Sequence, residues 1–186
     1  MSIKCSVFIA TSVDGFIARE DGTIDWLMKA NELAPEGEDG GYRDFIRGVN
    51  AIIMGRHSFD MVKTFKPWPY ALPVIVLTRQ KLDIPDALKD KVECSSEDPA
   101  ALKNRLAAQG MKQLYIDGGI TIQRFLNAGC LDELIITLIP ILLGKGRRLF
   151  GELNQDIPLH LINSRILGGG FTQIHYQILC NKLQRD

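Results

Sequence analysis

The sequence has no excess of charge of either sign: 22 Lys and Arg offset 22 Asp and Glu, with a pI near 6.8. No global positive field is available to hold DNA or RNA, so a nucleic-acid partner is not expected. There is no apolar run approaching the ~20 residues a membrane-spanning helix needs, and no basic amphipathic stretch for a membrane surface. The opening Met1–Ala10 segment carries only a short apolar run and no small-residue cleavage pattern, which leads to the expectation of a cytoplasmic protein. Cys5, Cys94, Cys130 and Cys180 lie far apart with no Cys-x-x-Cys pair, so neither a zinc knuckle nor a redox dithiol is readable and four reduced thiols are expected. His160 and His175 fall in alternating strand-like runs and do not read as metal ligands. No repeat or low-complexity tract interrupts the 186 residues, whose 46% hydrophobic and 24% charged content suits one domain, 1–186, with a full core.

What is present is a succession of short apolar runs separated by helix-like stretches, the pattern of a largely parallel sheet with crossover helices. The runs predict strands at Lys4–Ala10, Ala51–Met54, Val74–Leu77, Val92–Cys94 and Leu114–Ile116. A helix is expected over Pro99–Gln109, because Asp98 suits the cap, Pro99 the first helical position and Gly110 the end. Another is expected over Thr121–Ala128, with Ile122, Phe125 and Leu126 on the face that packs on the sheet. The last third changes character. Glu133–Ile139, Leu159–Leu167 and Phe171–Leu179 are β-type runs, the last two joined by Gly168-Gly169-Gly170, which reads as an antiparallel hairpin. Between Glu20 and Gly41 a Gly-, Asp-, Glu- and Pro-rich stretch predicts a long surface loop with short helical pieces.

Three strand ends carry residues suited to binding. Ala51-Ile52-Ile53-Met54-Gly55-Arg56-His57-Ser58 is a buried strand that breaks at glycine into a helix start, where backbone N–H groups, a guanidinium and a hydroxyl suit a phosphate. Val74-Ile75-Val76-Leu77-Thr78-Arg79 ends at an arginine able to pair with a nucleotide 2′-phosphate. Leu114-Tyr115-Ile116-Asp117-Gly118-Gly119-Ile120-Thr121-Ile122 is a strand, a Gly-Gly turn that lets a ligand approach the backbone, and a helix start that suits a pyrophosphate. Each turn alone fits a solvated surface equally well, and the Gly-x-Gly-x-x-Gly fingerprint is absent. Their order in one small sheet is the stronger signal.

That order resembles the dihydrofolate reductase superfamily, and within it the reductase domain of the bifunctional riboflavin-biosynthesis deaminase-reductase. The resemblance covers nearly the whole chain: Ser12-Val13-Asp14-Gly15-Phe16-Ile17-Ala18 after the first strand, the Met54-Gly55-Arg56 turn, Asp117-Gly118-Gly119, Ile136–Pro140 followed by Gly144-Lys145-Gly146-Arg147-Arg148-Leu149-Phe150, and the closing Ile174–Leu179. It implies an α/β, three-layer dihydrofolate-reductase-like fold, with a mixed, mostly parallel sheet, an antiparallel C-terminal hairpin, and NADPH laid across the strand ends. It further implies that Gly55, Arg56, His57 and Ser58 meet the phosphates and that Thr78 and Arg79 lie near the 2′-phosphate. Asp117, Gly118, Gly119, Ile120, Thr121 and Ile122 would line the pyrophosphate, while Ala10, Gly15, Ile17 and Ala18 cover the nicotinamide.

Reduction of a C=N bond also needs a proton source. By resemblance, Asp39 stands where dihydrofolate reductases carry a buried acid, and Thr137 matches its threonine partner; the polar Glu36–Gly41 segment equally fits an exposed turn. Asp25 and Trp26 are candidates to close the loop on a small-molecule substrate, Trp26 as apolar wall or as an anchor to the core. Lys145, with Arg147 and Arg148, could meet an anionic substrate or form a solvated rim. No His-x-Glu with Pro-Cys-x-x-Cys appears, so no deaminase half accompanies the reductase pattern. Phe59-Asp60-Met61-Val62-Lys63 after Ser58 departs from the Thr, Asp and Pro pattern of riboflavin-pathway reductases. The resemblance implies an NADPH-dependent reductase nearest to 5-amino-6-(5-phosphoribosylamino)uracil reductase, with a dihydrofolate reductase or a non-catalytic NADPH-binding module as the alternatives. The long apolar C-terminal strands lead to the expectation of a homodimer.

Overall fold

A computed structural model describes residues 3–179. Its central sheet has eight strands: β1 (Lys4–Ser12), β3 (Ala51–Gly55), β4 (Val74–Leu77), β5 (Val92–Ser95), β6 (Gln113–Asp117), β7 (Glu133–Ile139), β9 (Leu159–Ile166) and β10 (Thr172–Ile178). A separate two-stranded ribbon pairs β2 (Phe16–Ala18) with β8 (Arg147–Arg148). Among the described residues five α-helices accompany the strands: α1 (Asp25–Asn31), α2 (Tyr42–Arg47), α3 (Arg56–Val62), α4 (Pro99–Ala108) and α5 (Gly119–Asn127).

The strand order is β5-β4-β3-β6-β1-β7-β10-β9. The first six are parallel and the last two run antiparallel, so the expected mixed sheet and the three-layer α/β fold are both found. Parallel strands are reached by crossovers that put helices on both faces, which is why Ala51-Ile52-Ile53-Met54 and Val74-Ile75-Val76-Leu77 are apolar without alternation. On one face Leu102 and Leu106 of α4 and Ile122, Phe125 and Leu126 of α5 pack against Cys5, Val7, Ile53 and Ile116. On the other, Phe59 and Val62 of α3 meet Ile52, Met54, Val74 and Val76. Trp26 and Ala30 of α1 join Ile139 and Phe171 in a third, smaller cluster.

Asp98 caps α4 as expected, its carboxylate accepting the Ala101 N–H at 2.9 Å. Helix α5 starts at Gly119, two residues before the expected Thr121, because Gly118 at φ +86° turns the chain directly into it. The three-glycine connection closes as a single 3-10 turn, Gly168–Gly170. The β2–β8 ribbon and α2 were not anticipated: two- and three-residue strands and a six-residue helix carry too little periodicity to read. Cys5 and Cys94 are free thiols, Cys130 is buried, and Cys180 lies outside the described residues. Among the described residues no helix is long and apolar enough to cross a membrane.

Candidate active site

The main cleft, of about 710 Å³, opens at the carboxyl ends of β3, β6 and β1, where open α/β sheets hold their ligands. The three turns singled out in the sequence converge here. The first and third are in direct contact: a Cβ at Gly118 would collide with the Ser58 hydroxyl, so only glycine lets the start of α5 approach the start of α3. The second is tied on by the Arg56 guanidinium, which donates to the Gln80 side-chain oxygen, while Thr78 Oγ1 accepts the Gln80 N–H at 3.1 Å. No side chain caps α3 or α5, so the first N–H groups of both helices lack a side-chain acceptor.

Most of the expected cofactor residues line this cleft: Ala10, Ile17, Ala18, Gly55, Arg56, His57, Ser58, Asp117, Gly118, Gly119, Ile120 and Thr121. Four stand elsewhere. Ile122 is fully buried in the core, because it faces the sheet from the inner side of α5. Gly15 shapes the turn before β2, its carbonyl accepting the Leu149 N–H at 2.9 Å, and does not reach the cleft. Thr78 and Arg79 continue past Leu77, the last lining residue of β4, onto the rim.

The expected acid is displaced. Asp39 and Thr137 do share a chamber of 450 Å³ that adjoins the main cleft at Phe8, Ala10 and Leu27, but they are not partners. Asp39 accepts the Gly41 and Arg43 N–H groups at 2.9 and 3.0 Å and pairs with the Arg43 guanidinium at 3.5 Å. These donors, the Arg43 N–H foremost, hold its carboxyl below the usual range, where it is ionised and has no proton to give. Thr137 instead accepts from the Gln173 side chain at 3.0 Å, and Gln173 also donates to the Gly40 carbonyl at 2.9 Å.

Asp117 has the opposite character. It ends β6 inside the main cleft, and although it keeps contact with cleft solvent, the protein around its carboxyl pushes the pKa up to about 6, against the Gly118 N–H and the Tyr115 hydroxyl, which lower it. Tyr115 donates to the Phe8 carbonyl at 2.8 Å. A carboxyl titrating near 6 is protonated in about one molecule in ten at pH 7, far more often than a free aspartate. The sequence reading had Asp117 only as part of a glycine turn; a lone aspartate before two glycines gives no hint of its burial.

The three substrate candidates also resolve. Asp25 is exposed and held by Arg19 through hydrogen bonds of 2.5 and 3.0 Å. Trp26, 2% exposed, anchors α1 to Ile139 and Phe171, and its neighbours Ile24 and Leu27 are the ones that reach the cleft. Lys145 points outward to Glu20 at 3.2 Å, whereas Arg147 and Arg148 line the cleft, Arg148 lying 4.6 Å over the Phe16 ring. An aromatic and apolar wall of Phe8, Met61, Phe65, Tyr70 and Tyr115 went unread. Its one signal was the proline-spaced Phe65-Lys66-Pro67-Trp68-Pro69-Tyr70 loop.

Comparison with known proteins agrees with this architecture. Residues 4–172 match the model of the RibD C-terminal domain, and the chain belongs to that family. It is 36% identical to the Bacillus subtilis (strain 168) protein YwjB over 95% of this chain and 98% of the relative. Its structure is similar to that of a Shewanella sp. PV-4 protein assigned by name to riboflavin biosynthesis, with TM-score 0.89, 39% identity, and coverage of 95% of this chain and 99% of that one. The Thermotoga maritima deaminase and 5-amino-6-(5-phosphoribosylamino)uracil reductase shares the fold, with TM-score 0.69 at 14% identity, over 96% of this chain and 57% of that one. The chain thus has a riboflavin-pathway reductase-like fold.

Proposed function

We propose that the chain is an NADPH-dependent reductase of a nitrogen-containing heterocycle, nearest in its activity to 5-amino-6-(5-phosphoribosylamino)uracil reductase. The observation that carries this reading is the meeting, in one cleft, of two uncapped helix starts, Arg56, and an acid whose pKa burial raises to about 6. The residues present fit the cofactor. Arg56, His57, Ser58 and the Gly118–Thr121 backbone suit a pyrophosphate, Arg79 on the rim suits a 2′-phosphate, and Ala10, Ile17 and Ala18 offer an apolar wall for a nicotinamide.

Bound there, NADPH supplies a hydride. The chain's part is to seat the substrate ring and deliver a proton to nitrogen. Asp117 is the candidate donor, because its neutral form is favoured by burial and it faces the cleft. Phe8, Phe65, Tyr70 and Tyr115 give a planar ring apolar faces to lie against. The aminopyrimidine is favoured over dihydrofolate by the family and by Asp39, whose carboxylate is spent on the backbone of α2.

The test is to offer the aminopyrimidine ribose phosphate and dihydrofolate separately and follow NADPH absorbance. Faster oxidation with the aminopyrimidine is the expected result. Tight NADPH binding without oxidation by either compound would instead make the chain a binding module, and absence of NADPH binding would remove the reading altogether.

A further inference from the structure

The chamber that holds Asp39 and Thr137 carries the opposite charge to the cleft it adjoins. Four arginines, Arg56, Arg124, Arg147 and Arg148, line the main cleft with a single acid, Asp117. Glu38 and Asp39 line the chamber, and among the described residues no lysine, arginine or histidine does. The two spaces have only Phe8, Ala10 and Leu27 in common among those residues, so an apolar neck separates cationic from acidic space. Two guanidinium groups stand near the chamber without lining it. Arg43 pairs with Asp39, but its side chain is 79% exposed and water screens it. Arg165 donates to the Gly40 carbonyl at 2.6 Å and to Gln173 Oε1 at 2.9 Å, its N–H groups engaged by the chain itself. Glu38 accepts the Gly40 N–H at 2.8 Å, which holds its carboxylate beside that lining residue.

A second observation points to a ligand. Thr137 lines the chamber at 9% exposure, and its oxygen accepts from Gln173, yet its own hydroxyl hydrogen has no acceptor among the described residues. A buried donor left without a partner is costly unless something enters to accept from it. Ala10 belongs to both spaces and to the apolar wall that suits a nicotinamide, so a molecule reduced at that wall extends into the chamber when the main cleft holds the cofactor. Resting on the reductase reading above, we propose that the substrate is a phosphate-free heterocycle, with an amine turned to Glu38 and Asp39 and a ring carbonyl or nitrogen turned to Thr137. A phosphomonoester carries about −1.5 to −2 charges near neutrality. In the chamber it would meet two carboxylates and no cation, a like-charge juxtaposition that rejects a ligand. An amine meets the same carboxylates as charge-assisted acceptors. Phe8, Tyr42 and Phe171 supply faces for the ring.

The test compares the aminopyrimidine ribose phosphate with the same riboside lacking its phosphate, on the full chain, by NADPH oxidation and by calorimetric binding in the presence of NADP+. The riboside is expected to show KM and Kd about 100-fold lower than the phosphate, with similar kcat. The gap should narrow as ionic strength rises from about 0.01 M to about 1 M, which exclusion by shape alone would not produce. Glu38→Lys should tighten the phosphate ligand about tenfold and weaken the riboside. Circular dichroism checks its folding, and Glu38→Gln gives the same direction at smaller size should the lysine variant fail to fold. Equal or tighter binding of the phosphate by wild type, a preference that neither salt nor either Glu38 variant moves, or no binding of either compound would each overturn the proposal. Preferential binding of the riboside without NADPH oxidation would remove the reductase reading and leave the selectivity of the chamber standing. Oxidation of both compounds at equal KM would do the reverse.

Discussion

Ile53 on β3 and Ile166 on β9 are the same residue type in strands of one sheet, yet the first is fully buried and the second is 83% exposed. The difference lies in the connections. Parallel strands are joined by helices that cover both faces, whereas β9 and β10 are joined by a 3-10 turn of three glycines that covers neither. Apolar composition therefore builds core in one half of the sheet and an open surface in the other, and the main cleft forms in the covered half, where strand ends and helix starts meet.

The largest effect expected from this contrast is on stability. Ile53→Ala should cost about 2–5 kcal/mol by deleting packed atoms in a site that cannot collapse, while Ile166→Ala in the monomer should cost below about 0.5 kcal/mol. Urea midpoints measured at a concentration where the chain is monomeric check this, and equal losses would break the contrast.

Within the covered half, Asp117→Asn should lower turnover about 100-fold while NADPH affinity changes little. It should also alter the pH dependence of stability. The folded carboxyl titrates near 6, above its unfolded value, so its stabilising contribution is full in acid and is lost as pH rises through 6. The loss is up to on the order of 3 kcal/mol, less where cleft water reaches the carboxyl. Asp117→Asn should therefore melt higher than wild type at pH 8, and converge with it near pH 4. A variant of unchanged turnover would strip Asp117 of its proposed role.

A smaller effect belongs to the rim. Arg79→Ala should weaken NADPH about tenfold, the low end for a charged hydrogen-bond partner, and leave NADH unaffected; fluorescence titrations with both nucleotides decide it, since equal losses would place the 2′-phosphate elsewhere. Smallest of all, Asp39→Asn should cost at most about 1 kcal/mol through the backbone N–H groups it accepts, with turnover preserved. A collapse of turnover there would return the acid to the second chamber.

Much of the covered half was legible because its signals are local. Gly55, Gly118, Asp98 and the unbroken apolar runs each act within a few residues of themselves, through backbone freedom, capping and burial. Asp39 and Asp117 were not separable in the same way. Both are aspartates near glycines, and their difference is made by distant groups: Arg43 and the α2 backbone for one, Tyr115 and the enclosing cleft for the other. Trp26 and Leu27 likewise differ only in which side of α1 faces Phe171 and which faces the cleft.

By itself the sequence determined the fold class, the order of the three binding turns and the antiparallel close, because periodicity, glycine and capping are properties of short segments. Only the tertiary structure decided which acid has its pKa raised, which arginines line the cleft and which apolar face is left exposed. Those depend on dielectric surroundings and on contacts between residues far apart in the chain, 133 positions in the case of Gly40 and Gln173, and no local pattern encodes them.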